Sequence, residues 1–144
     1  MRIFYDTSVL IAGIVASHPK HPSALSWLQR AKAKKNSMLI SGHSLAECFA
    51  VLTKLPLSPR LSPDTAHYLL RENIEKLAQI ISLSSQDYLA VLKQMAELNL
   101  SGGIIYDALA VKAAHKAKAD KILTFNSRDF MRLSKEDPSF ILAP

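Results

Sequence analysis

The chain has 144 residues, enough for one domain with a substantial core and too few for two. Hydrophobic residues make up 49% and charged residues 21%, which excludes a long disordered tract, and the lone Cys48 excludes an internal disulfide. The formal net charge of +6 points to polyanionic partners, and no apolar run reaches the roughly eighteen residues of a membrane span. Residues 1–144 are therefore expected to form one domain, and the reduced cysteine fits the cytoplasm.

Taken in order, Arg2-Ile3-Phe4-Tyr5 predicts a strand over 2–5, and Asp6 follows directly before a helix over 7–15. A helix over 22–34 buries Trp27 and ends among Arg30, Lys32, Lys34 and Lys35. A strand over 37–41 leads to a helix over 44–54, where Ser44-Leu45-Ala46-Glu47 matches the capping-box pattern. A Pro/Ser-rich connection precedes a helix over 63–77, with Ser62 as N-cap and Pro63 in its first turn. Together the helices over 44–54 and 63–77 are expected to form a hairpin projecting from the sheet. Then come a strand over 79–83, a helix over 85–98 capped by Ser84, the loop Ser101-Gly102-Gly103 and a helix over 104–118. A strand over 121–125, a short helix over 127–133 and a strand over 139–142 complete the chain. Alternating strands and helices predict an α/β fold, with a central, mostly parallel twisted sheet flanked by helices on both faces. The strands are apolar without alternation, as strands buried on both sides are.

Oxygen-bearing side chains recur where strands end or helices begin: Asp6, Glu47, Asp107, Asn126 and, close behind, Asp129. In open parallel sheets ligands collect beyond the carboxyl ends of the strands, so these groups can converge on one acidic cup. Each also has a plain structural use. Glu47 could close a capping box, Asp107 could complement a helix dipole, and Asp6, Asn126 and Asp129 could serve as caps. Asp6 and Asp107 fit those uses least, because each enters an apolar stretch where an unpaired carboxylate is costly. The basic residues form two groups, Arg30 to Lys35 and Lys112 to Lys121, each readable alone as a solvated face or as cations at a helix C-terminus. His18 and His21 lack a partner pair for a zinc site, and His43 stands beside Glu47 as a rim residue.

The ordered set Asp6-Thr7-Ser8, Ser44-Leu45-Ala46-Glu47, Tyr106-Asp107-Ala108 and Leu123-Thr124-Phe125-Asn126-Ser127-Arg128-Asp129-Phe130 resembles the PIN-domain ribonucleases of the VapC toxin type across essentially the whole chain. That resemblance implies a single PIN-like nuclease domain over 1–144 and an endoribonuclease dependent on Mg²⁺ or Mn²⁺. It further implies a homodimer and a small antitoxin partner. It places Asp6, Glu47 and Asp107 at the metal, with Ser8 beside the first of them, and implies products with a 3′-hydroxyl and a 5′-phosphate. The pattern departs at the fourth acid, where Asn126 stands and Asp129 is the next carboxylate. Asp6, Glu47, Asp107, Asn126 and Ser8 are thus the expected catalytic group, and Asp6, Glu47, Asp107 and Asp129 the expected metal ligands. The amide at Asn126 also leaves open a catalytically weak PIN domain that binds RNA or scaffolds a complex.

Overall fold

The computed structural model describes residues 1–144. In chain order the elements are β1 (Arg2–Tyr5), α1 (Thr7–Ile14), α2 (His21–Lys32), β2 (Ser37–Ser41), α3 (Gly42–Lys54) and α4 (Pro63–Leu70), which runs on into a π-helical turn at Arg71–Glu75. They continue with β3 (Ala78–Ile81), α5 (Ser85–Glu97), α6 (Ile104–Lys116), β4 (Lys121–Leu123) and α7 (Ser127–Leu133), and end with a 3₁₀ turn at Pro138–Phe140 and β5 (Ile141–Leu142).

All five strands are parallel, in the order β3-β2-β1-β4-β5. Successive strand side chains point to opposite faces, and here both faces are apolar. Ile3, Tyr5, Met38, Ile40 and Leu123 pack with Leu10, Leu28, Leu52 and Ile74 in the core beneath α1 to α4. Phe4, Leu39 and Ile122 pack with Val91, Val111 and Phe130 beneath α5 to α7. This is the expected two-faced α/β sheet, parallel throughout.

The chain steps outward from β1 through β2 to β3, then returns to the other side of β1 to lay down β4 and β5. The strand order therefore reverses between β1 and β4, and at such a switch point the loops leaving adjacent strands diverge and open a crevice. Asp6 leaves β1 at this point; its N–H still donates to Leu123 O of β4 at 3.0 Å.

The structure moves several sequence-based boundaries. α3 starts at Gly42, because the Ser41 hydroxyl at the end of β2 accepts the Ser44 N–H at 3.0 Å and caps the helix. β4 stops at Leu123, two residues early, because the Thr124 side chain and the Phe125 N–H turn to a polar network beyond the strand. The helical hairpin does not project. Cys48 and Leu52 of α3, Ala66 and Leu70 of α4, and Ile74 of the π turn are all buried in the sheet core, so the pair lies on it. Where α1 crosses α2, a Cβ on Gly13 would stand 2.5 Å from Leu28 Cδ1, so any larger residue there requires the buried Leu28 side chain to shift.

Three helices end with a non-glycine residue in the left-handed region: Lys34, Asn99 and Lys118, at φ 55°, 52° and 53°. The following N–H groups of Lys35, Leu100 and Ala119 donate to Arg30 O, Met95 O and Ala114 O at 2.9, 3.0 and 2.9 Å, which satisfies carbonyls at the helix ends. α2 and α6 end there just before β2 and β4 begin. Both basic groups predicted from sequence thus end at the amino edge of the sheet, opposite the crevice.

Candidate active site

Asp6 occupies the N-cap position of α1 yet makes no side-chain cap. The residue is only 9% exposed. Ser8 Oγ donates to Oδ2 at 2.6 Å and Thr124 Oγ1 donates to the same oxygen at 2.8 Å. Each hydroxyl is itself fixed: Phe125 N–H donates to Ser8 Oγ at 3.2 Å and Asn126 N–H donates to Thr124 Oγ1 at 2.9 Å. The backbone leaving β4 therefore orients the acid leaving β1, and no protein group donates to Oδ1.

Glu47 reaches the same crevice from the second turn of α3. Because Ser41 is the cap, Glu47 lies too far along the helix to close a capping box, and the structural reading of that residue falls away. Its Oε2 lies 3.3 Å from His43 Nε2, one turn back on the same helix. Asp107 enters from the first turn of α6, after Gly102 makes the tight turn at φ 79°. Asn126 holds the N-cap position of α7 without capping it; its Nδ2 donates to Asp107 Oδ2 at 3.3 Å and to Asp129 Oδ2 at 3.0 Å.

Asp6, Ser8, Glu47, Asp107 and Asn126 line one open cavity of about 410 Å³, together with Thr7, His18, Lys20 and Phe125. Asp129 does not line it. Asp129 is reached through the Asn126 amide, and its other oxygen faces Arg132 NH1 at 3.6 Å. A larger cavity of about 560 Å³ lies between α5, α6 and α7, but Lys112, His115, Arg132 and Glu136 spread mixed charge around it and no predicted site residue reaches it.

Convergence of the acids has an electrostatic signature. The Asp107 carboxyl is pushed from 3.8 up to about 7, chiefly by burial and then by the negative charges of Asp6, Asp129 and Glu47. A strongly raised carboxyl in a cleft, facing like charges, is a mark of functional sites. As they stand, no three carboxylate, imidazole or thiol groups close around a single point. Glu47 leans to His43 and the Asn126 amide separates Asp107 from Asp129. The donor set nevertheless fits a hard divalent cation: Asp6, Glu47 and Asp107 all offer carboxylate oxygens, Asp6 keeps one oxygen unengaged, and Mg²⁺ usually takes only one or two carboxylates and retains water. Nearby Cys48 is buried with its thiol held well above its ordinary range by burial and by Glu47 and Asp6, so it acts as an apolar filler.

Two participants are not evident from sequence. Thr124 gains its role only through the β1–β4 neighbourhood. Lys20 comes from the His18-Pro19-Lys20-His21-Pro22 segment, lines the cleft, and sets Nζ 4.6 Å from the centre of the Phe125 ring. In the same segment His21 Nδ1 lies 2.8 Å from Ala12 O, a structural tie between α1 and α2. Several cations of the predicted basic groups are otherwise engaged. Lys116 Nζ donates to Ser82 O and Asp87 Oδ2, Lys32 Nζ donates to Asn73 Oδ1, and Arg30 covers Trp27.

A switch-point sheet with several acids facing one cleft matches a known class, for the PIN domain pattern covers residues 3–136. The chain belongs to the PIN-domain family. Within it, similarity runs to the VapC type. Ribonuclease VapC27 of Mycobacterium tuberculosis is 36% identical over 115 residues, covering 80% of this chain and 78% of that protein. Ribonuclease VapC40 of the same species is 32% identical over 123 residues, covering 85% of each chain. Among solved structures, VapBC2 from Rickettsia felis, bound to a DNA fragment from their promoter, superposes with a TM-score of 0.69 at 21% identity, covering 100% of this chain and 99% of that one. This last likeness supports the fold.

Proposed function

We propose that the protein is a divalent-metal-dependent endoribonuclease acting as the toxin of a toxin–antitoxin pair. One observation carries the reading: Asp6, Glu47 and Asp107 converge from three separate elements on one cleft, where burial first, and then the neighbouring negative charges, raise Asp107 to about 7. Structural polar residues at helix starts would cap those helices, whereas Asp6 does not cap α1 and Asn126 does not cap α7.

Asp6, Glu47 and Asp107 are the residues that would hold Mg²⁺ or Mn²⁺, and Asp129 would act through Asn126. Such an ion, when bound, neutralises charge on the phosphoryl oxygens and lowers the pKa of water at the site. The residues of the chain do the rest. Ser8 and Thr124 keep Asp6 aimed through one oxygen, Asn126 keeps Asp107 aimed through its amide, and Lys20 offers a cation to a neighbouring phosphate. Hydrolysis in this arrangement leaves a 3′-hydroxyl and a 5′-phosphate. A small antitoxin, a homodimeric assembly and action in the cytoplasm complete the proposal.

Incubation of the purified protein with RNA tests it. Cleavage that requires Mg²⁺ or Mn²⁺, stops with chelator and yields 5′-phosphate ends is the expected result. Binding of RNA without cleavage under either metal would favour the weak, RNA-binding PIN domain, for which Asn126 in place of a fourth acid is the motive.

A further inference from the structure

At the brink of the cleft, the rings of His43 and Tyr106 stack face to face, with centroids 5.0 Å apart and planes within 3°. Neither ring lines the cavity itself, but each is tied to an acid that does. Tyr106 precedes Asp107 on α6, and His43 Nε2 holds Glu47 at 3.3 Å on α3. Tyr106 is nevertheless 52% exposed, with no hydrogen bond to its hydroxyl within the chain. An aromatic ring that packs one face on an imidazole and leaves the remainder to water does little for the core. Other exposed aromatics, such as Tyr88 on α5, have no such stack beside the acids.

We propose that the His43–Tyr106 stack is a platform for one unpaired nucleobase of the RNA, next to the phosphate held in the cleft. The inference rests on the endoribonuclease reading and adds to it a base-contacting residue and a positioning residue. Aromatic rings beside a phosphate-handling site accept bases by stacking, with little regard to sequence, because every base has a π face. His43 sets the tilt of the Tyr106 ring, and α3 and α6 carry the two rings on rigid elements, so the platform is preformed. A base can reach it only when unstacked from its neighbours, so the site selects single-stranded segments or loops over duplex. Within the cavity, Lys20 over Phe125 suits the backbone, since it presents a cation rather than an open ring face. A strand crossing the acids thus has a base contact at the His43–Tyr106 stack and a phosphate contact at Lys20.

Tyr106→Ala, Tyr106→Phe and His43→Ala are compared in cleavage of a short single-stranded RNA of mapped cut site, made also with an abasic residue at each position flanking the cut. The expected result for Tyr106→Ala is a rise in KM on the order of tenfold, carried by KM rather than kcat, with Tyr106→Phe restoring the wild-type value. With the abasic residue at the platform position, wild type and Tyr106→Ala should cleave alike, which a merely structural role for Tyr106 would not produce. His43→Ala should show a smaller rise in KM of the same origin, together with a change in kcat from the loss of its contact with Glu47. Binding is read separately in the Asp6→Asn background, by quenching of 2-aminopurine placed at the same position. Quenching there that disappears with Tyr106→Ala supports the platform even if the wild type fails to cleave, an outcome that would remove the endoribonuclease reading alone. An unchanged KM in Tyr106→Ala, or a loss identical on intact and abasic RNA, overturns the platform. So does a Tyr106→Ala defect seen only in binding a protein partner.

Discussion

Asp107→Asn should make the metal-free protein more stable at neutral pH while abolishing cleavage. The Asp107 carboxyl sits at about 7 in the folded chain against an ordinary 3.8, about three decades in proton affinity. Each decade is worth about 1.4 kcal/mol, so the full shift would correspond to about 4 kcal/mol. The cleft is open to water, which screens much of that, and about 1–2 kcal/mol is the expected net effect. The folded state holds this proton more tightly than the unfolded state does. Its contribution is thus present in full below about pH 4, is lost as pH rises toward about 7, and stays lost above. An amide at this position has no proton to lose and can still accept the Asn126 amide donor. Urea denaturation in chelator, from pH 4 to pH 8, measures both proteins: the curves should nearly meet at the acid end, and the variant should gain about 1–2 kcal/mol at pH 8. Added Mg²⁺ should raise the stability of the wild type at pH 8 far more than that of the variant. A variant that is less stable at pH 8, or that keeps the wild-type slope with pH, would refute the raised Asp107 carboxyl and the burial and crowded charge that cause it.

Asn126→Asp should replace the amide bridge between Asp107 and Asp129 with a further negative charge, lowering metal-free stability and tightening Mg²⁺ binding by calorimetric titration; Asp129→Asn should change Mg²⁺ affinity less, since Asp129 does not line the cleft. Thr124→Val removes one of two donors to the buried Asp6 oxygen, so stability should drop by about 1–3 kcal/mol in chemical denaturation, with a lower kcat because Asp6 is no longer aimed. Lys20→Ala should reduce the slope of log affinity against log salt for RNA by about one counterion, whereas Lys35→Ala at the opposite edge of the sheet should leave it unchanged.

How much of this was legible in the sequence follows the range of the interactions involved. The strand over 2–5, the strand over 37–41 and the helix capped by Ser84 depend on local apolar runs and cap chemistry, and each is found within a residue of its predicted place. Glu47 was attached to the wrong cap because Gly42-His43 reads as loop. Ser41 instead serves both as the last residue of β2 and as the N-cap of α3, a double role that spacing alone does not reveal. The convergence of Asp6, Glu47 and Asp107 was expected from their order along the chain. Their orientation was not, since it depends on Thr124, 118 residues away, and on the reversal of strand order between β1 and β4. The basic groups keep to their plain reading as cations at helix C-termini. Cations near one another in sequence at the ends of α2 and α6 are carried to the edge of the sheet away from the acids, while Lys20, isolated in a proline-flanked segment, lines the cleft.

The central claim, that Asp6 presents a carboxylate oxygen to a metal ion used in RNA hydrolysis, is tested most directly by comparing wild type and Asp6→Asn for cleavage of one labelled RNA across a Mg²⁺ titration. Asn at this position keeps an oxygen acceptor for Ser8 and Thr124, so folding should survive. The account predicts cleavage by the wild type that rises with Mg²⁺ and none by Asp6→Asn at any concentration, with RNA still bound. Cleavage by Asp6→Asn at the wild-type rate, or cleavage by the wild type that ignores Mg²⁺ and chelator alike, would contradict it.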